Sequence, residues 1–223
     1  MICTVCDRTG EPGPVSEYGA RESLCCPHCG ASSRMRAVAR AFWQALYWVA
    51  ATHARVYQVG GDRFSLRLRR QPRMDVVVSE LHRRPGCVVE DIERLTFPAG
   101  AFHIVLCSDV LEHIRDYELA LAEFARVIVP AGYLILTTGL TALPRHEEFC
   151  VRHPTDPRRD AWAENTPRHL DPLSPRGCPV YRTYSRSLLE EELGQVGFEV
   201  SVTPPEIEYY AIRNGLVFMG RRK

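Results

Sequence analysis

Asp91-Ile-Glu-Arg-Leu-Thr-Phe-Pro-Ala-Gly-Ala-Phe-His-Ile-Val-Leu-Cys-Ser-Asp-Val-Leu-Glu-His-Ile114 holds one apolar run, Ile104-Val-Leu-Cys107, that stops abruptly at Ser108-Asp109. A short apolar run between polar segments predicts a strand buried on both faces. The Val-Leu-Glu-His113 step after it starts a helix. The same rhythm continues outward. Upstream, Val56-Tyr-Gln-Val59, Asp75-Val-Val-Val78 and Cys87-Val-Val89 predict three strands, the first followed by Gly60-Gly61 and a helix around Phe64–Arg70. Downstream, residues 116–128 space Leu119, Ala122, Phe124, Val127 and Ile128 as an amphipathic helix. Pro130-Ala-Gly132 should end it, and Tyr133-Leu-Ile-Leu-Thr137 should be a fifth strand. After an irregular stretch, Ser185–Val196 predicts a helix and Gly197-Phe198 leads into a strand to Val202. Leu216-Val-Phe-Met219 predicts a last strand, antiparallel to that one. Strand-helix alternation of this kind predicts an α/β class, a parallel sheet with helices on both faces. The 223 residues suit one such domain with a small appendage.

The appendage is the N-terminus. Residues 1–33 are rich in Gly, Pro, Ser and Cys and show little periodicity. Cys3-Thr-Val-Cys6 and Cys26-Pro-His-Cys29 are two C-x-x-C steps, the spacing by which one tetrahedral zinc takes four thiolates. Cys25 competes with Cys26 as a ligand, but Cys-Pro-x-Cys-Gly makes the tighter knuckle. A four-thiolate site is closed, so the zinc expected here is structural. Cys25, Cys87, Cys107, Cys150 and Cys178 are scattered, and are expected to be small buried or half-buried thiols. From Arg34 to about Thr52 the pattern is helical, with Val38, Phe42, Leu46 and Val49 on one face. Trp43 and Tyr47 form a second aromatic pair, also expected in the core.

Composition narrows the function. A net charge of +1 gives no broad field for nucleic acid. Arg63-Phe-Ser-Leu-Arg-Leu-Arg-Arg-Gln-Pro-Arg73 is expected to be a solvated helix face. No apolar run approaches the roughly 18 residues of a membrane span. No signal peptide opens the sequence, so a cytoplasmic location is expected.

In an open α/β sheet, ligands bind at the carboxyl ends of the strands, where strand order switches. Gly60-Gly61, Glu80, Asp91-Ile92 and Cys107-Ser108-Asp109 fall on that edge. The glycines let backbone approach a ligand, and Glu80, about 20 residues on, can accept from both hydroxyls of a ribose.

The run from Asp91 to Ile114, with Ala122-Glu-Phe-Ala-Arg-Val-Ile-Val-Pro-Ala-Gly-Tyr-Leu-Ile-Leu136 and the stretch from Tyr184 to Gly197-Phe198, resembles the class I S-adenosylmethionine (SAM)-dependent methyltransferases. The likeness covers Val56 to the C-terminus apart from residues 141–183. The cysteine head, with Arg34-Met-Arg36 after it, resembles small bacterial members with an N-terminal cysteine cluster. The resemblance implies a Rossmann-like sheet of seven strands, SAM as cofactor and a methyl acceptor. It implies that Gly60 and Gly61 approach the methionine part of SAM and that Glu80 holds the ribose. Asp91 and Ile92 would flank the adenine, and Cys107, Ser108 and Asp109 would line the floor beside the sulfonium. The family's first motif, acid-x-Gly-x-Gly-x-Gly, is here Gln58-Val-Gly60-Gly-Asp62-Arg-Phe64. Gln58 can still accept from a ligand amine, without the charge attraction.

The domains expected are a zinc module over 1–33 and a methyltransferase domain over 34–223, with 141–183 as a proline-rich substrate-side lid. Arg145, Arg152, Arg158, Arg159 and Arg168 of the lid could clamp an anionic acceptor. The expected acceptor is a small or medium metabolite, as in natural-product tailoring. Three alternatives stay open: SAM used for cyclisation or aminocarboxypropyl transfer, an RNA methyltransferase gripping through the zinc module, and a non-catalytic partner subunit. Base candidates are His113, His169 and Tyr184, with His146, His153 and Tyr181 behind them.

Overall fold

The computed structural model describes residues 1–15, 22–171 and 174–223, so residues 16–21 of the expected cysteine module and 172–173 of the expected lid lie outside the described residues. Strands β1 (Ala54–Val59), β2 (Met74–Glu80), β3 (Val88–Val89), β4 (Phe102–Ser108), β5 (Ile128–Thr137), β6 (Phe198–Val202) and β7 (Phe218–Arg222) form one sheet. Their order is β6-β7-β5-β4-β1-β2-β3. The first five run parallel, and β7 is antiparallel to both of its neighbours. Strand order therefore reverses between β1 and β4, and the crevice at their carboxyl ends is where such sheets bind ligands.

Side-chain alternation divides the core in two. Val56, Ile104, Leu106 and Ile135 face α1 (Ser33–Val49) and α2 (Arg63–Leu68) through Val38, Phe42, Phe64 and Leu68. Tyr57, Val105, Cys107, Leu134 and Leu136 face α3 (Tyr117–Val127) and α4 (Arg186–Gln195) through Leu121, Phe124, Leu189 and Leu193. Val5, Cys3 and Cys26 belong to the first of these clusters. The cysteine segment thus shares its apolar interior with the sheet.

Three expectations need correction. Tyr47 is exposed, because α1 meets the sheet on one stripe only; its partner Trp43 is held, its indole N–H donating to the Thr4 carbonyl at 2.9 Å. Pro130-Ala131-Gly132 does not end α3, which stops at Val127. These residues instead make a bulge in β5, where the pairing jumps from Phe102↔Ile128 to Ile104↔Tyr133. A Cβ on Gly132 would lie 2.6 Å from the His103 carbonyl, so only glycine lets the bulge close. Residues 141–183 are not irregular throughout. Glu147–Glu148 pairs with Arg182–Ser185, Cys150–Val151 with Ala161–Trp162, and Arg168–Asp171 with Ser174–Pro179.

The two ends of the chain meet. Ile2 donates to the Tyr209 carbonyl, and Ser33 Oγ donates to the Arg213 carbonyl at 2.8 Å. Arg36, fully buried, donates to the carbonyls of Ala31, Tyr210 and Ala211 at 2.6–2.8 Å. No described helix is long and apolar enough to cross a membrane.

Candidate functional site

The four paired cysteines converge. Two matching knuckles carry them: the Asp7 amide donates to the Cys3 carbonyl and the Gly30 amide to the Cys26 carbonyl, each at 2.8 Å. Asp7 and Gly30 each close their turn with φ of 59° and 70°. Cys3 Sγ and Cys29 Sγ lie 3.7 Å apart, as do Cys6 Sγ and Cys26 Sγ, and all four sulfurs lie within 4.8 Å of one another. Burial pushes the Cys26 thiol up, but the amides of Cys29 and His28 outweigh it and bring its pKa to about 7. Cys25 stays outside the cluster and is exposed, contrary to its expected burial, because the knuckle turns inward at Cys26. Arg63 donates to the Cys29 carbonyl and Arg67 to Asp7, so two arginines of the basic stretch fasten the knuckles to α2.

At the end of β1 the altered glycine motif is internally consistent. Gly60 has φ 72°, which needs glycine. Asp62, standing where the family has glycine, caps α2 in a reciprocal pair with Ser65. Gln58 Nε2 donates to Asp62 Oδ1 at 2.9 Å and to the Gly60 carbonyl at 3.1 Å. Phe64 packs edge-on to Phe42 and Trp43. Gln58 is buried, and its Oε1 has no hydrogen-bond partner among the described residues. Buried acceptors are rarely left so. Glu80 accepts at Oε1 from the Gly61 amide at 3.0 Å and from Arg84 at 2.6 Å.

Arg34 was missed from sequence. The N-terminal end of α1 brings it across to β4, where Nη1 donates to Ser108 Oγ at 2.7 Å and Nε pairs with Asp109 at 2.9 Å and with Glu22. Burial works against its charge, but Asp109 and Glu22 outweigh it and keep the guanidinium firmly ionised. Asp109 holds φ 53°, strained for a residue with a Cβ and typical of functional positions. The Cys107 side chain points away into the core and is fully buried, which pushes its thiol up. Ile92 is buried while Asp91 is exposed, its Oδ1 accepting from the Glu93 amide at 3.0 Å.

Beyond β4, the turn Leu111–His113 meets the 141–183 segment. The Tyr181 amide donates to the Glu112 carbonyl at 2.8 Å, and Tyr184 Oη donates to the Leu111 carbonyl at 2.9 Å. Tyr184 is fully buried, which raises its pKa well above the usual phenol and commits it to holding this turn. His113 Nε2 meets His169 Nδ1 at 3.1 Å. Burial opposes the charged form of His113, but Cys178, the Pro179 carbonyl and Glu112 hold its pKa up at about 9. Glu112 is fully buried, and burial and then the Asp109 charge raise its pKa. His146 pairs with Glu192 at 3.1 Å, and His153 accepts the Thr155 and Asp156 amides in a local turn.

Three arginines of the 141–183 segment, Arg152, Arg158 and Arg168, have partners within the protein. Arg152 binds Asp116 at 2.6 Å, Arg158 binds Asp156, and Arg168 donates to the Gly177 carbonyl. Arg115 bridges Asp116 and Asp160, and Tyr181 donates to Asp160. Arg182, fully buried over the Tyr117 ring, donates to Glu148 and to the carbonyls of Ile114 and Arg115.

Residues 44–136 match a family model described as a methyltransferase domain, from within α1 to β5. No curated protein matches the sequence. The Burkholderia thailandensis 1,6-didemethyltoxoflavin-N1-methyltransferase, solved with 1,6-didemethyltoxoflavin and S-adenosylhomocysteine, is 16% identical over 84% of this chain and 78% of its own, with TM-score 0.54. A Mesorhizobium loti SAM-dependent methyltransferase is 18% identical over 82% of this chain and 98% of its own, with TM-score 0.52. The [4+2]-cyclase SpnF is 16% identical over 96% of this chain and 99% of its own, with TM-score 0.55. With this sheet order and the methyltransferase-domain match across β1–β5, the chain has the class I methyltransferase fold and carries a four-cysteine cluster at its N-terminus.

Proposed function

We propose that the protein binds SAM at the carboxyl edge of the sheet and transfers its methyl group to a small or medium-sized metabolite under the 141–183 lid. The observation that carries the reading is the orphaned Oε1 of buried Gln58, set between the Gly60-Gly61 turn and α2. It is an acceptor suited to the ammonium of an amino acid. Arg34, beside Asp109, supplies the charge for the carboxylate of that amino acid. Glu80 takes the ribose hydroxyls, Asp91 and Ile92 flank the adenine, and Ser108 and Asp109 stand by the sulfur.

SAM supplies an already activated methyl, so the chain's part is to align the acceptor in line with the C–S bond and exclude water. The docked lid supports this: Tyr181, Arg182 and Tyr184 tie it to the turn after β4. Residues 1–33 are read as a zinc module. A tetrahedral ion with Zn–S near 2.3 Å has S···S edges of about 3.8 Å, close to the 3.7 Å of the two measured pairs. With Arg63 and Arg67 fastened to the knuckles, the module serves the fold rather than gripping RNA.

Calorimetry with S-adenosylhomocysteine tests the reading. Glu80→Ala should weaken binding by tens of fold, from about 2 kcal/mol for lost charge-assisted hydrogen bonds. Unchanged affinity in Glu80→Ala would show that the carboxylate is misassigned. A second reading is favoured by the altered first motif: SAM spent by cyclisation or aminocarboxypropyl transfer. Methylthioadenosine as the spent product, rather than S-adenosylhomocysteine, would select it.

A further inference from the structure

We propose that Glu112, His113 and His169 form a site for one divalent transition-metal ion that pins the lid to the turn after β4. Fifty-six residues separate the two histidines, yet the fold brings His113 Nε2 and His169 Nδ1 to 3.1 Å. Glu112 Oε1 lies 3.6 Å from His169 Nδ1, and the three ligand atoms lie within 4.8 Å of one another. Nitrogens bound to one ion at about 2.1 Å sit roughly 3–3.4 Å apart.

The surroundings are those of metal ligands. Metal-bound histidines usually donate their other ring N–H to a fixed acceptor. The Pro179 carbonyl, 2.8 Å from His113 Nδ1, can only accept, so Nδ1 carries a proton and Nε2 faces the cluster. Thr138 Oγ1 donates to Glu112 Oε2 at 2.8 Å and fixes the carboxylate plane. That leaves Glu112 Oε1, fully buried and without a hydrogen-bond partner among the described residues. Asp109 adds to the negative field there. An ion would satisfy that oxygen and offset both carboxylates. Two imidazoles with one carboxylate suit zinc, iron(II), cobalt or nickel better than magnesium or calcium.

The site lies at the carboxyl ends of β4 and β5. If the methyl-transfer reading holds, the ion's open positions suit an acceptor bearing a hydroxyl. On coordination the hydroxyl would release its proton to water. Its oxygen lone pair would form the C–O bond, and the C–S pair would return to sulfur.

The test uses the untagged full-length chain, dialysed against a mild chelator and titrated with Co2+ and Zn2+. One equivalent of Co2+ should bind to the wild type with weak visible bands and no thiolate charge-transfer band. His169→Ala and Glu112→Gln should weaken it at least tenfold. S-adenosylhomocysteine affinity, measured on the same samples, should stay within a few fold, which separates this proposal from the cofactor reading. His169→Asp, which keeps a ligand atom, should recover part of the binding and guards against misfolding as the cause of loss. Absence of this equivalent in wild type, or binding unchanged in His169→Ala, would overturn the site and leave a histidine pair backed by Glu112.

Discussion

Replacing Arg34 with methionine keeps the aliphatic stem and removes the cation that pairs with Asp109 and Glu22. Arg34 and Asp109 are each only 17% exposed at the side chain. At 2.9 Å, the gross attraction at an effective dielectric near 20 is roughly 6 kcal/mol. Desolvation takes back about half, and uncovering a buried partner typically costs 3–5 kcal/mol. Asp109 keeps its hydrogen bond from Thr137 Oγ1 at 3.0 Å, and Glu22 is 37% exposed, so the lower figure of about 3 kcal/mol is expected for stability. The same substitution should weaken S-adenosylhomocysteine by about 2 kcal/mol, roughly thirtyfold. Urea unfolding and calorimetry on Arg34→Met, Asp109→Asn and the double variant separate the two effects. In the double variant the stability loss should shrink while the affinity loss remains. Affinity within twofold of wild type, with stability down by about 3 kcal/mol, would make Arg34 a strut and remove it from the cofactor site.

Cys26→Ser should release one zinc equivalent per chain by elemental analysis and unfold or aggregate the N-terminus, because structural zinc contributes on the order of 10 kcal/mol to such modules. Retention of that equivalent would show that Cys26 is not a ligand. Acid should loosen the lid selectively: the Arg115 hydrogen bond holds the Asp160 pKa at about 2, below its ordinary 3.8. A depressed carboxylate contributes stability that is complete above its unfolded pKa and lost as pH falls through its folded one. Trp162, whose ring centre lies 4.5 Å from that of Tyr181, should report the change by fluorescence between about pH 4 and pH 2. Asp160→Asn should remove the transition, and its persistence would place the acid-sensitive group elsewhere.

The sheet was legible because its strands are short apolar runs and its helices carry one apolar stripe. Ile104-Val-Leu-Cys107 and the stripe through Val38 and Phe42 both end up buried as that rule requires. Positions defined by local turn chemistry, such as Gly60 and the two knuckles, were legible for the same reason. Contacts between distant residues were not. Arg34 reads as an ordinary helix residue until the fold sets it against Ser108 and Asp109. The ribbons within residues 141–183 were hidden because paired segments of two residues carry no periodicity. Tyr47 was misplaced because i,i+4 spacing says that two residues share a helix face, not that the face is covered.

The tie between the chain's ends has a consequence for synthesis. The cysteine knuckles leave the ribosome before Tyr210 and Ala211, whose carbonyls satisfy buried Arg36. Contacts of such long sequence separation form late. The nascent knuckles must therefore wait, their thiols open to metal or oxidant, until Tyr210 and Ala211 have emerged. An oxidised knuckle formed in that interval would fail to seat against Tyr210 and Ala211, and the error would surface only once those residues had emerged.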